Sequence, residues 1–213
     1  LVGTGFDDRL DYSLGVFYMD QEGVAENGAR GQITIAEFSN DNWAMYGQGT
    51  WHLSERWDIT AGARYTDENQ EMLKVREDFA PAGTEFPAAS ASYDNFSPMV
   101  SVGYHWNEDV MTYFKISTGF QSGGFNVRDA IPESFLIGVD EETLTAYELG
   151  LKATSEDQRY RLNAALWYSD YQDKALNVFN PVTLGNQRTN AGVVEIVGWE
   201  IELLANITPY LQA

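Results

Sequence analysis

The stretch WAMYGQGTWHLSERWDITAGARYT, residues 43–66, decides how the rest of the chain is read. Every second residue from Trp43 gives Trp43, Met45, Gly47, Gly49 and Trp51. The same count from Trp57 gives Trp57, Ile59, Ala61, Ala63 and Tyr65. The interleaved set is polar or small: Ala44, Tyr46, Gln48 and Thr50, then Asp58, Thr60, Gly62, Arg64 and Thr66. Strict period two predicts two strands, each with one apolar face and one wet face, joined by a tight turn at residues 53–56. On each apolar face aromatics stand at both ends with small or aliphatic residues between.

The pattern extends along the chain. Leu10, Tyr12, Leu14, Val16 and Tyr18 share a face; so do Phe96, Pro98, Val100, Val102 and Tyr104, and Tyr160, Leu162, Ala164, Leu166 and Tyr168. Tyr147, Leu149, Leu151 and Ala153 form another such set, as do Val193, Val197, Trp199, Ile201 and Leu203. Short polar breaks centred near residues 8, 55, 108, 157 and, more weakly, 208 recur with a period of about fifty. Between them lie longer segments rich in Gly, Asn, Pro and acids, at 21–40, 68–94, 120–143 and 173–192. The expected architecture is all-β: an antiparallel up-and-down sheet of about eight full strands plus stubs at 1–6 and 210–213, with short turns at one end and long loops at the other.

Aromatic pairs eight residues apart recur at 43/51, 57/65, 96/104 and 160/168. Eight residues span about 26 Å, or roughly 20 Å at a strand tilt of about 40°. That matches the apolar band of a transmembrane β-barrel between its two aromatic girdles, where an amphipathic ring is at home. A soluble β-sandwich also alternates, but its connections are usually short at both ends. The wet face here carries Arg64, Glu148, Lys152, Arg161, Glu200 and Glu202, and burying such groups unpaired costs several kcal/mol each. The reading is therefore a segment of a transmembrane β-barrel in contact with membrane lipid.

Composition narrows the functional classes. The 213 residues contain 13 basic and 32 acidic side chains, a net charge of −19, and no cysteine. Such a chain repels polyphosphates, offers no basic stripe for nucleic acid, and can form neither a disulfide nor a thiolate metal site. No apolar run reaches the length of a membrane helix, and the first twenty residues lack a signal-peptide pattern.

The segments NFSPMVSVGYHWNEDVMTYFKISTGFQSGGFN (95–126), TLTAYELGLKATSEDQRYRLNAALWYSDYQD (143–173) and VGWEIELLA (197–205), preceded by LDYSLGVFYMDQ from Leu10, carry a family likeness in their order. The chain resembles the β-barrel of TonB-dependent outer-membrane receptors over essentially its whole length. The resemblance implies a receptor of the bacterial cell outer membrane that takes up a scarce ligand by energised transport. An iron–siderophore complex is the foremost expectation, with cobalamin or a glycan as alternatives. It also implies an inner-membrane energising complex as partner, reached through an amino-terminal plug. Residues 1–213 contain no plug or coupling box and no terminal barrel strand, so they are expected to be an internal part of a larger barrel of 22 strands.

TGFQSGGFN, residues 118–126, lacks the spacing and the lysine of a phosphate loop, and its glycines are read as letting a strand end bend. The candidate ligand-binding residues are Arg64 and Lys115 on the wet face, with Phe120, Phe125 and Arg128 around the glycine-rich stretch; salt bridging within the lumen is the plainer role for the two cations. His52 and His105 flank short turns without a neighbouring ligand in sequence, so no metal or other cofactor is expected. The acids 140–142 and the pair Glu200/Glu202 fit a solvated loop and a polar lumen better than glycosidase or calcium chemistry. No catalytic constellation is indicated. The readings left open are a passive or enzymatic outer-membrane barrel and, behind it, a soluble extracellular β-domain.

Overall fold

The computed structural model describes all residues except 30, 130, 181–184, 209–210 and 213. Among the described residues twelve strands and one short helix follow in the order β1 (Val2–Gly5), β2 (Leu10–Ala29), β3 (Gln32–His52), β4 (Trp57–Glu77), β5 (Ala89–His105), β6 (Val110–Gln121), α1 (Pro132–Ile137), β7 (Glu142–Thr154), β8 (Tyr160–Gln172), β9 (Ala175–Asn180), β10 (Gly185–Asn190), β11 (Val194–Thr208) and β12 (Leu211–Gln212). Ten of them form one open sheet in the order β1-β2-β3-β4-β5-β6-β7-β8-β11-β12, antiparallel between every pair of neighbours. β9 and β10 pair only with each other, as a hairpin set into the connection from β8 to β11. Eight full strands and two stubs are what the alternation predicts. The weak fifth break at 208–209 falls partly outside the described residues.

The ladder turns sequence parity into two continuous faces. Leu10, Trp51, Ile59, Val102, Phe114, Leu149, Leu166 and Trp199 lie side by side across eight strands. One residue further along each strand, the opposite face carries Asp11, Thr50, Thr60, Ser101, Lys115, Glu148, Trp167 and Gly198 in register. Among the described residues the apolar face has no protein partner: Leu149 is 55% and Trp199 72% exposed. A connected apolar surface that crosses a whole sheet is far larger than a water-soluble surface usually presents, and lipid is the solvent that suits it. Its upper aromatic rim includes the Trp43–Tyr65 and Tyr147–Tyr168 pairs, 5.6 and 6.2 Å between ring centres; its lower rim includes Trp57–Tyr104 at 4.7 Å.

The segment 21–40 is not the loop that its composition suggests, whereas 78–88 and most of 122–141 are loop. Residues 21–40 are almost entirely strand: β2 and β3 run on as a hairpin to Ala29 and Gln32, and β4 continues beside them to Glu77. Strands of 20 and 21 residues reach about 65 Å, far beyond an apolar band. Above the upper rim the outward positions become Glu22, Glu37 and Glu71, all exposed. Charged residues erase the apolar alternation that identifies a strand in sequence, although the ladder itself continues.

The inward positions of this upper part are covered. Thr34, Ala36, Ala44, Thr66, Glu68, Lys74 and Ala89 are all buried. The cover is the segment 122–140, which leaves β6 and folds back over the polar face of the preceding strands. Ser122 Oγ donates to Glu68 Oε1 (3.1 Å), Tyr93 OH donates to Val139 O (3.2 Å), and Arg128 Nε donates to Asn27 Oδ1 on β2 (3.1 Å). Gly124 and Val139 exchange backbone hydrogen bonds at 3.0 and 2.9 Å. Gly124 has φ +144°, which only glycine adopts readily, and a Cβ there would stand 2.7 Å from Gln70 Oε1. The glycines of TGFQSGGFN thus do let the strand end bend, and the bend is inward. α1 starts with Pro132 and ends at Gly138 (φ 62°). It places the fully buried Phe135 against Phe86 and Phe125, with ring centres 5.8 and 6.0 Å away.

The wall also divides. β4 and β5 pair along the whole upper length, from Trp57–Tyr104 to Met72–Ala89, whereas β5 and β6 pair only from Met99–Ser117 downward. Pro98 explains where the ladder stops. Its carbonyl accepts from Thr118 Oγ1 (3.2 Å), so its backbone faces β6, and on that side proline has no N–H to donate.

Candidate functional site

The polar face is the place to look for chemistry, because period two collects on it nearly every charged side chain of the membrane-level strands. At its short-turn end four strands are stitched together. His52 on β3 meets Asp58 on β4 (Nδ1 to Oδ1, 2.7 Å) and Asp11 on β2 (Nε2 to Oδ2, 3.0 Å), and His105 on β5 meets the other oxygen of Asp58 (2.7 Å). Both nitrogens of His52 face carboxylates, which when ionised can accept but not donate, so an imidazolium donating twice satisfies the chain. Higher up, Tyr113 OH and Lys115 Nζ both donate to Glu148, the lysine at 2.9 Å, and Lys152 lies over the Tyr113 ring.

Across β2 to β6 lies a recess of about 500 Å³ lined by Tyr46, Gln48, Arg64, Ser97, Met99 and Phe120, among others. Register places Tyr46, Arg64 and Ser97 side by side on β3, β4 and β5. Arg64 Nε donates to Thr66 Oγ1 (3.0 Å), and its guanidinium carbon is 5.6 Å from the centre of the Phe17 ring and 5.9 Å from that of Tyr46.

At the outer end, Glu142 is almost fully buried at the start of β7. It accepts from Lys174 Nζ (2.7 Å) and from the backbone N–H of Ala175 (3.0 Å), and so pins the β9–β10 hairpin to the sheet. Burial alone would raise this carboxyl, but Lys174, the Ala175 N–H and Tyr171 outweigh it and hold the group below its ordinary value. Asn190 adds a second pin, donating to Asp140 O (3.1 Å) and Asp173 O (2.7 Å).

The five residues singled out from sequence separate into different environments. Lys115 is neutralised by Glu148. Phe125 is packed in the small core under α1, and Arg128 bridges to Asn27. Arg64 and Phe120 share the recess. Sequence reasoning missed the partners, Phe17, Tyr46 and Thr66 around Arg64 and Asp11 and Asp58 around the histidines. A signal for the histidines existed: His52 and His105 sit beside successive short turns, so the fifty-residue period puts them at one level of the wall with only β4 between.

Comparison with known proteins agrees with this geometry. The family model described as TonB dependent receptor-like, beta-barrel, matches residues 2–212. The pesticin receptor of Yersinia enterocolitica (serotype O:8 / biotype 1B) is 28% identical over 172 residues, covering 78% of this chain and 24% of the relative, and that of Yersinia pestis is 27% identical over the same length. The chain therefore spans about a quarter of the curated relatives it matches. Among solved structures, the ferric yersiniabactin uptake receptor FyuA from Yersinia pestis superposes with a TM-score of 0.74 at 19% identity, covering 98% of this chain and 32% of that one. The siderophore receptor PiuA from Acinetobacter baumannii gives 0.71 at 15%, covering 98% and 35%. At these identities the two structures establish the fold.

Proposed function

This chain belongs to the TonB dependent receptor-like β-barrel family, and from that premise we propose that it forms part of the barrel wall of a bacterial outer-membrane receptor that takes up a scarce ligand by energised transport, an iron–siderophore complex foremost. The observation that carries the reading is the pair of continuous faces, apolar toward lipid and polar toward a lumen, on a chain whose family match runs from residue 2 to residue 212. The named relatives are receptors for pesticin and, in structure, for ferric yersiniabactin and siderophores, which supports a ferric complex over cobalamin or a glycan. In this reading residues 1–213 are a single stretch of barrel domain, outer-membrane lipid surrounds its apolar face, and an inner-membrane energising complex drives transport through a plug in the lumen. Arg64 and Phe120 are the wall residues that meet the ligand.

One observation favours a second reading. A segment folded over the polar face, as 122–140 is, also constricts passive pores. Uptake of radiolabelled ferric siderophores by cells carrying the intact parent receptor as their only such receptor separates the two. Energised transport stops when the inner-membrane proton gradient is collapsed; uptake that continues unchanged would establish the passive pore.

A further inference from the structure

Among the cations of the polar face, Arg64, Lys152 and Arg161 form no ion pair within the described residues, and of these three only Arg64 lines the recess with Tyr46, Gln48 and Ser97. Lys115 has Glu148, Lys74 has Glu77, and Lys174 has Glu142. Arg64 forms no ion pair among the described residues, although the chain carries 32 carboxylate side chains. Its register neighbours are uncharged: Tyr46 and Gly15 on one side, Ser97 on the other. Thr66 holds Nε, and the rings of Phe17 and Tyr46 flank the guanidinium, while both terminal nitrogens are without a hydrogen-bond acceptor among the described residues. A guanidinium flanked by rings is both oriented and partly shielded from water, which strengthens a bidentate contact with a planar oxyanion. The recess beside it adds the neutral donors Gln48 and Ser97, with Met99 and Phe120 as apolar wall.

From this geometry we infer that the Arg64 recess is a binding site for a soluble oxyanion, a carboxylate or phosphate carried by a molecule that enters the lumen. The inference deepens the transport reading and rests on it for the identity of the lumen, but its test does not measure uptake. The intact parent receptor, purified in detergent, is treated with an arginine-specific dicarbonyl such as phenylglyoxal, and modification at each arginine is followed by peptide mass spectrometry. Succinate and inorganic phosphate are the probes, with glycerol as the uncharged control. Arg64 is expected to react, and either anion at about ten times its dissociation constant should slow that reaction about tenfold, while Arg56 in the exposed short turn is slowed little. Arg64 that is refractory from the start, as it would be if a carboxylate from elsewhere in the protein already paired it, would overturn the inference. So would modification at an unchanged rate in the presence of both anions, or an equal slowing at Arg56. Failure of energised uptake with normal anion protection would count against the transport reading alone.

Discussion

The strands β2 to β5 cross two solvents on one uninterrupted ladder, and their lower and upper halves use the same two faces in opposite ways. In the lower half the outward face is apolar, as at Ile59 and Val102, and the inward face is polar and open. In the upper half the outward face carries Glu22, Glu37 and Glu71, whereas the inward face is covered by the 122–140 segment and its small aromatic core. Backbone pairing does not distinguish the halves. What changes at the aromatic rim is the medium outside, and side-chain chemistry inverts in response. Parity along a strand therefore fixes which residues share a face, and the surroundings decide whether that face must be greasy or charged.

The contrast can be broken at chosen positions. The largest effect is expected at Phe135, whose truncation to alanine empties the core under α1 and should cost about 3 to 5 kcal/mol locally. It should be read as faster amide exchange and proteolysis across 122–140 in the intact receptor, with the lower ladder unaffected. In the lower half, Ile59→Arg puts a charge into lipid and should lower stability by about 2 to 4 kcal/mol, with Thr60→Arg on the neighbouring inward position costing much less. Reversible denaturant unfolding in bilayers measures both, and equal losses would mean that the Ile59 face packs against protein. A smaller effect follows from pH. Because the folded-state carboxyl of Glu142 lies below its ordinary value of 4.5, its stabilising contribution is complete above that value and is lost as pH falls through the lowered one. Exchange protection in the β9–β10 hairpin, corrected for intrinsic rates, should drop over that acidic window, and Glu142→Gln should remove the dependence. The smallest effect sharpens the comparison most: Glu71→Arg shares the outward parity of Ile59 but faces water, and should change stability by no more than about 0.5 kcal/mol.

How much of this was legible depended on which medium wrote the pattern. Facing lipid, Trp57, Ile59, Ala61, Ala63 and Tyr65 declare both strand and face, and the fifty-residue period gives the pairing order. Above the rim, the segment 21–40 contains strand without apolar alternation, because both of its surroundings tolerate or demand polar groups. The inward turn of 122–140 was hidden for another reason. Its signals are Pro132 opening a six-residue helix, a lone core residue in Phe135 and glycines at Gly124 and Gly138, and none of them says on which side of the wall the segment falls. Of the candidate ligand residues, Arg64 and Lys115 look alike in sequence. Only the register that sets Lys115 beside Glu148, and Arg64 beside Tyr46 and Ser97, tells them apart.

The missing N–H of Pro98 makes the wall mechanically uneven. Below it the sheet resists lateral shear as a single plate, since separating β5 from β6 there would break a ladder. Above it stand two panels, β2 to β5 and β6 to β8 with β11, tied through the 122–140 segment by contacts such as Ser122 to Glu68 on β4 and Tyr93 on β5 to the carbonyl of Val139. Each such contact contributes about 1 kcal/mol, so the soft mode of the outer half is a spreading of these two panels about Pro98, and a load applied to the segment between them is delivered to that seam.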